Sequence, residues 1–357
     1  MRQKTSRSTI KEVALAAGVS TQTVSRVINE RPDVSPETRK RVQEVIDQLA
    51  YRPSAVARSL IRQRSHTLGV VTAGLKYIGP SRILSGIASA VEEAGYSLLL
   101  KELSDFDTKE IEPIFEAFIS RHVDGIIWAV PEVGDNRTWV KEASLDVEIP
   151  LVYLTMQAQE NISVVSVDNY LGGKMAVSHL LEQGFKHIGH ISGPLDWWEA
   201  RQRMTAWKDV LNENGIKVKD EHSVEGDWSL SSGIEATKKL LNQYPDVDAI
   251  FVANDQMALS AIQYLRQNGR RVPEDIGIVG FDDIPESEFF FPPLTTIQQD
   301  QNTVAKLAVE DIIKTIESGW HKLEPKEPQT IIVPPTLVVR QSSLHLRGIH
   351  EKEVEIK

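Results

Sequence analysis

Residues 9–29 read Thr9-Ile10-Lys11-Glu12-Val13-Ala14-Leu15-Ala16-Ala17-Gly18-Val19-Ser20-Thr21-Gln22-Thr23-Val24-Ser25-Arg26-Val27-Ile28-Asn29. Thr9 and Glu12 have the spacing of a capping box, in which the hydroxyl takes the Glu12 N–H and the carboxylate reaches back. A helix through Ala17 comes next, with Ile10, Val13, Ala14 and Ala17 on one face. Gly18 supplies a tight turn, and Ser20 is a good N-cap for the next helix. In that second helix Val24, Val27 and Ile28 face inward while Thr21, Gln22, Ser25 and Arg26 face outward. Helix, glycine turn and polar-faced helix make a helix-turn-helix. Its outward residues suit base edges, because Gln can pair bidentately with adenine and Arg with guanine. Ser35-Pro36-Glu37 starts a third helix that buries Val42, Val45, Ile46 and Leu49, with Arg39, Lys40 and Arg41 placed for phosphates. Periodicity alone equally suits a three-helix bundle whose polar face meets only water.

Charge separates this head from the rest of the chain. Residues 1–64 carry 13 Lys and Arg against 6 Asp and Glu, a net of +7, whereas the remainder carries 27 against 44, a net of −17. A basic head on an acidic body implies that only the head meets a polyanion. At 357 residues, with 41% hydrophobic and 25% charged, the chain has the size of two or three ordinary soluble domains. It has no cysteine, which excludes disulfides, thiolate zinc sites and cysteine nucleophiles. No apolar run nears the roughly 20 residues that span a bilayer, and the basic N-terminus lacks an apolar signal core. The expected location is the cytoplasm, on the nucleoid, where the sequons at Asn136 and Asn161 have no meaning.

From His66 the pattern alternates between strand and helix. Strands are predicted at 68–72, 97–100, 123–128, 151–154, 187–191, 249–253 and 276–281, separated by helical patterns stopped at Gly95 and Gly184. Short apolar strands alternating with helices argue for parallel sheets covered on both faces, here split into two α/β lobes. Ligands of open α/β sheets bind off the carboxyl ends of strands, and polar residues gather there. Gly193-Pro194-Leu195 leads to Arg201, Val252-Ala253 to Asn254-Asp255, and Gly280-Phe281 to Asp282-Asp283. Asp255 fits a helix N-cap better than a ligand contact, and Asp283 is suited to ordering its loop.

The head sequence, continued by Val34-Ser35, Thr38-Arg39, Val42 and Tyr51-Arg52-Pro53-Ser54-Ala55-Val56-Ala57-Arg58-Ser59-Leu60, resembles that of the lactose-repressor (LacI/GalR) family of transcriptional regulators. Similar segments run through the core: Glu225 to Ser229, Val252 to Ala258, and Pro293 to Asp300. The resemblance implies a helix-turn-helix domain (1–52), a hinge helix and linker (53–64), a two-lobed core of periplasmic-binding-protein type (65–342) and a tail (343–357). The lobes would comprise about 65–165 with 299–325, and about 166–298 with 326–342, joined by three crossings. It makes Thr21, Gln22 and Arg26 base readers, and Ser20, Thr23, Ser25 and Asn29 backbone contacts, with Thr9, Tyr51 and Ser54 also at the DNA. Residues 53–60 are about two turns, too short to be a stable helix alone. By the resemblance they pack in the minor groove, Leu60 wedging a base step with Ala57 beside it. In the core the resemblance assigns Arg201, Asn254 and Asp282 to ligand hydroxyls, Gln299 to support and Trp228 to stacking on a sugar ring, with Trp197 and Tyr77 adding aromatic wall. Arg forks donate, carboxylate and amide oxygens accept, and an aromatic face covers the C–H face of a pyranose. Three positions depart from the family's lactose-binding pattern, Ala73, Thr155 and Gln301, so another sugar or glycoside is expected.

The expected function is repression of a carbohydrate-utilisation operon, with release from operator DNA when a sugar closes the cleft. The alternative within the family is a co-repressor, purine-like or phosphorylated, that tightens DNA binding. No cofactor and no metal site is expected. The tail shows no leucine heptad, so a homodimer is the natural assembly. An enzyme is disfavoured: HExxH, GxSxG and GxGxxG are missing, and Leu171 to Met175 fails as a phosphate loop, since Asp168 and Met175 stand where Gly and Ser/Thr belong. An exported sugar receptor would share the core fold but would need an export signal and no DNA-reading head.

Overall fold

A computed structural model describes residues 8–29, 31–51, 64–106, 111–142, 149–320 and 327–344. The chain divides into two compact units, 1–66 and 67–357.

The first unit is helical: α1 (Ile10–Ala17), α2 (Thr21–Ile28) and α3 (Pro36–Gln48). The capping box at Thr9 is formed, Thr9 N–H donating to Glu12 Oε2 at 2.6 Å, and Gly18 ends α1 at φ 65°. Ser20 and Ser35 cap α2 and α3, with Pro36 in the first turn of α3. Val13, Ala14, Ala17, Val24, Val27, Val42 and Ile46 are buried together, while Val45 and Leu49 pack at the margin. The hinge residues Ser54, Ala57 and Leu60 lie outside the described residues.

Among the described residues, the second unit holds two six-stranded sheets. The first lobe contains β1 (Thr67–Ala73), β2 (Ser97–Leu103), β3 (Gly125–Ala129), β4 (Leu151–Leu154), β5 (Ser163–Val167) and β11 (Thr330–Val333), in the order β11-β5-β4-β3-β1-β2 and wholly parallel. The second contains β6 (Ile188–Ser192), β7 (Ser223–Glu225), β8 (Ala249–Val252), β9 (Gly277–Asp282), β10 (Thr295–Gln298) and β12 (Thr336–Val338), in the order β12-β10-β9-β8-β6-β7. Of these six strands, β12 alone runs antiparallel. Burial on both faces explains why β3 and β8 are continuous apolar runs.

The chain crosses between lobes after Val167, after Gln298 and after Val333. This corrects the expected lobe boundary. Within the stretch from 326 onward expected in the second lobe, Thr330 to Val333 belong to the first, because they pair in register with Val164 to Val167. The third crossing is Pro334-Pro335, whose missing N–H groups suit the break between the two edge strands β11 and β12.

Candidate functional site

A cavity of roughly 750 Å³, mouth included, opens between the lobes at the carboxyl ends of the strands. The second lobe supplies every charged residue of its described lining: Glu199, Arg203 and Asp282.

Arg203 is the central cation, and it corrects the expectation for Arg201. On the helix Trp198–Glu213, two residues correspond to about 200° of rotation, so the two arginines face opposite ways. Arg203 is buried. Its Nε and Nη2 both donate to Asn169 Oδ1 at 2.9 and 2.8 Å, and Nη1 donates to the Ala253 carbonyl. The same Nη1 lies 3.9 Å from Asp282 Oδ1, and the guanidinium sits 3.6 Å over the Phe281 ring. Arg201 instead leaves the cavity. It donates to the carbonyls of Leu195 and Asp196 and pairs with Glu132 of the first lobe at 3.3 Å. Next to that ion pair, a backbone bridge joins Val133 to Trp197, Trp198 N–H donates to Glu132 O and Gly134 N–H to Asp196 O. Arg201 thus ties the lobes together beside the cavity.

Asn254 lines the cavity but does two structural tasks. Its Oδ1 accepts the Met257 N–H at 2.9 Å, capping the helix Asp255–Gln267, and its Nδ2 donates to the Trp228 carbonyl at 3.0 Å. The expected cap, Asp255, is the residue after it. Asp255 is fully buried and accepts from Ile284 N–H, Ser287 Oγ and Thr296 Oγ1. Burial, then the nearby Asp282, pushes its carboxyl up to about 7. A Cβ on Gly280 would fall 2.3 Å from Asp255 Oδ1, so that strand position must be glycine. Asp283 orders its loop as expected, accepting from Gln298 Nε2 and Arg340 Nη2.

Asp282 ends β9 with φ 118°, turned into the cavity, and Gln299 Nε2 donates to its Oδ1. Burial raises its carboxyl to about 6 against the opposing pull of Arg203. First-lobe Arg82 reaches across to its carbonyl at 2.9 Å. Trp228 (φ 73°) and Thr155 (φ 51°) also line the cavity in the left-handed region. Non-glycine residues held there cost of order 1–3 kcal/mol each and gather at ligand sites. Trp228 lies so close on Gly193 that a Cβ there would sit 2.1 Å from its ring. Trp197 stands edge-on between the lobes, its ring centroid 5.3 Å from Tyr77, 5.0 Å from Phe106 and 5.8 Å from Trp228.

The cavity therefore brings together Tyr77, Trp197, Trp228, Asn254, Asp282 and Gln299, and leaves out Arg201. Thr155 and Gln301 line it, whereas Ala73 does not. The sequence reading missed Asn169, Glu199 and Arg203. Glu199 and Arg203 are four apart, hence on one helix face, which is the signal that would have found them. Nothing local marks Asn169, which acts only through the packing of its helix against the next.

In the head, Thr21, Gln22 and Arg26 lie along the outer face of α2. Arg26 is 3.5 Å from Asp33, a solvent-facing pairing worth little and easily exchanged. Ser20 and Thr23 hydrogen-bond each other, and Asn29 Nδ2 donates to Ser25 O at 2.8 Å, so these residues also close the ends of α2. Thr9 caps α1 and Tyr51 packs against the head's core. Arg39 donates to the carbonyls of Val27 and Arg31, fastening α3 to the end of α2.

Residues 9–54 match the model for bacterial regulatory proteins of the lacI family, and residues 177–343 match a periplasmic binding protein-like domain. Over 336 residues the chain is 33% identical to the lactose operon repressor of Escherichia coli, covering 94% of this chain and 91% of that one. The HTH-type transcriptional repressor PurR of Haemophilus influenzae is 34% identical over 341 residues, covering 94% of this chain and 98% of that one. A crystal structure of the lac repressor dimer bound to operator and the anti-inducer ONPF superposes with a TM-score of 0.84 at 32% identity, covering 95% of this chain and all of that one.

Proposed function

Because the chain belongs to the lacI family and is a transcriptional repressor of that family, we propose that it binds operator DNA as a homodimer and releases it when a neutral sugar or glycoside fills the inter-lobe cavity. One observation carries the ligand class: aromatic faces and hydroxyl-pairing groups (Asp282, Gln299) converge on one cavity, while the one cation of its described lining is committed. Arg203 already donates to Asn169 and Ala253 and faces Asp282, so little remains for a phosphate. That weighs against a phosphorylated co-repressor. Asp282, with its raised carboxyl, takes a sugar hydroxyl, and Trp228 and Trp197 cover the ring's apolar face. The ligand spans groups of both lobes and so favours the closed cleft. Closure alters the spacing of the paired hinges at residues 53–60, which lose their minor-groove contact. In the head, Arg26, Gln22 and Thr21 read bases in adjacent major grooves of a near-palindromic operator.

Operator titration by fluorescence anisotropy, with and without sugar, tests the proposal. Sugar should weaken operator binding by roughly 1–3 kcal/mol of coupling per site. Arg26→Ala should lose about 1–3 kcal/mol on operator and less on random DNA. A ligand that tightens the complex replaces induction by co-repression, and equal losses on both DNAs remove Arg26 as a base reader.

A further inference from the structure

Three residues of the cavity lining each hold a side-chain polar atom with almost no exposed surface and no hydrogen-bond partner among the described residues: Glu199 Oε2, Gln301 Oε1 and Trp228 Nε1. Buried polar atoms are almost always paired, and one left alone forfeits its hydration without return. Of thirteen such atoms among the described residues, three belong to this one lining. Other polar groups of the lining are engaged: Arg203 by Asn169 and Ala253, Asn254 by Met257 and Trp228, and one oxygen of Asp282 by Gln299. Even Gln301 is half-satisfied, since its Nε2 donates to Gln299 Oε1 at 3.1 Å while its carbonyl oxygen is left over.

We propose that these three atoms are the unfilled half of the ligand's hydrogen bonds, and that Glu199 and Gln301 are specificity-determining residues for a ligand that donates two hydrogen bonds and accepts one. This inference rests on the cavity being the effector site. A sugar meets the requirement with hydroxyls, each of which donates once and accepts as well. The indole N–H of Trp228 takes one hydroxyl oxygen, while Glu199 and Gln301 take hydroxyl protons. Position makes the set a coupling device. Gln301 opens a helix packed on the first lobe's sheet, whereas Glu199 and Trp228 belong to the second lobe. A ligand satisfying all three is held from both sides of the cleft.

Glu199 also carries a charge consequence. Burial, with Glu132 nearby, raises its carboxyl to about 7 against the pull of Arg203 and Arg137. As a carboxylate it accepts, and as an acid it can donate instead, so ligand preference changes around neutral pH.

The test is a melting-temperature screen of the full-length parent, Glu199→Gln and Gln301→Leu against glucose, galactose, ribose, cellobiose, lactose and maltose, followed by calorimetry on any sugar that raises the parent's Tm. Each variant should bind that sugar at least tenfold more weakly. Without sugar, Glu199→Gln should melt no lower than the parent, because it removes a buried charge, and Gln301→Leu only slightly lower, because it gives up one hydrogen bond to Gln299 along with the orphaned oxygen. The parent's affinity should change between pH 6 and pH 8, and that of Glu199→Gln should change less, by the part that Asp282 and Asp255 still contribute. If a sugar binds the parent and both variants equally, the orphaned atoms are not ligand contacts and this inference falls alone. If the unliganded variants melt well below the parent, these side chains are structural and it also falls. If no sugar moves the parent, the effector reading falls with it.

Discussion

The two lobes of the core share a strand order and differ in chemistry. At the cavity the first lobe presents apolar and aromatic wall (Tyr77, Ile78, Pro80, Ile83, Pro131, Val167), with Thr155 and Gln301 as polar side chains and Gln299 at the crossing between the lobes. The second presents the charges of the described lining, together with Asn169, Asn254 and Gln256. The same division appears in titration. The shifted groups of the first lobe are Arg137 and Tyr153, which change only at alkaline pH, whereas the second holds His190, lowered to about 3, with Asp282, Asp255 and Glu199 raised to between about 6 and 7. One lobe recognises and the other encloses. A rigid polar cradle keeps its donors and acceptors aimed before the ligand arrives, while an apolar wall excludes water from the ligand's other face.

The largest test of this asymmetry is Arg203→Ala against Arg201→Ala. Removing buried Arg203 strands the Asn169 carbonyl and leaves Asp282 without its counter-charge, a loss of about 3–5 kcal/mol in unfolding stability. Arg201, half-exposed, should cost under about 1 kcal/mol. Urea melts of both decide it, and similar losses would mean that the inter-lobe tie matters as much as the cradle.

The next test is acid. His190 is fully buried, its Nδ1–H donates to Phe251 O at 2.8 Å, and its ring stacks between Phe251 and Trp207. Its folded pKa lies below its unfolded one, so the stability it contributes is present above about pH 6.5 and lost as pH falls toward 3. Asp255, Glu199 and Asp282 have raised values, so theirs runs the other way: present at acid pH and lost as pH rises through about 6 to 7. Between pH 6.5 and pH 5 the parent should lose up to about 2 kcal/mol relative to His190→Phe. Parallel pH profiles for the two proteins would show that the imidazole is hydrated and the second lobe looser than its packing implies.

The smallest effect falls on the apolar wall. Tyr77→Ala removes one aromatic contact with Trp197 and should weaken sugar binding by about 0.5–1.5 kcal/mol, with operator affinity unchanged. Calorimetry that finds binding abolished would erase the distinction between cradle and wall.

The sequence made several features legible for local reasons. Thr9 with Glu12, Gly18, Ser20 and Ser35-Pro36 act within a turn of themselves, so the head was readable residue by residue. The seven strands anticipated from apolar runs all occur within a few residues of their expected places. Five other described strands escaped. Ser163 to Val167 and Thr295 to Gln298 mix hydroxyls with apolar residues, which blurs the apolar signal. Ser166 is nonetheless buried, and Thr295 and Thr296 are buried on bonds to distant partners. Ser223 to Glu225 and Thr336 to Val338 are three residues each, and Thr330 to Val333 is an edge strand whose partner lies 166 residues earlier.

Sequence by itself determined the helix-turn-helix, the parallel two-lobed core and the strand ends at which ligand groups gather, because each depends on periodicity and caps spanning a few residues. Tertiary structure alone decided which of two arginines enters the cavity, that Asn254 caps while Asp255 braces, and that β11 returns to the first lobe. It also decided which polar atoms remain without partners among the described residues. Those outcomes turn on helix rotation, on hydrogen bonds between residues tens to hundreds of positions apart, and on burial, none of which a residue's neighbours in the chain specify.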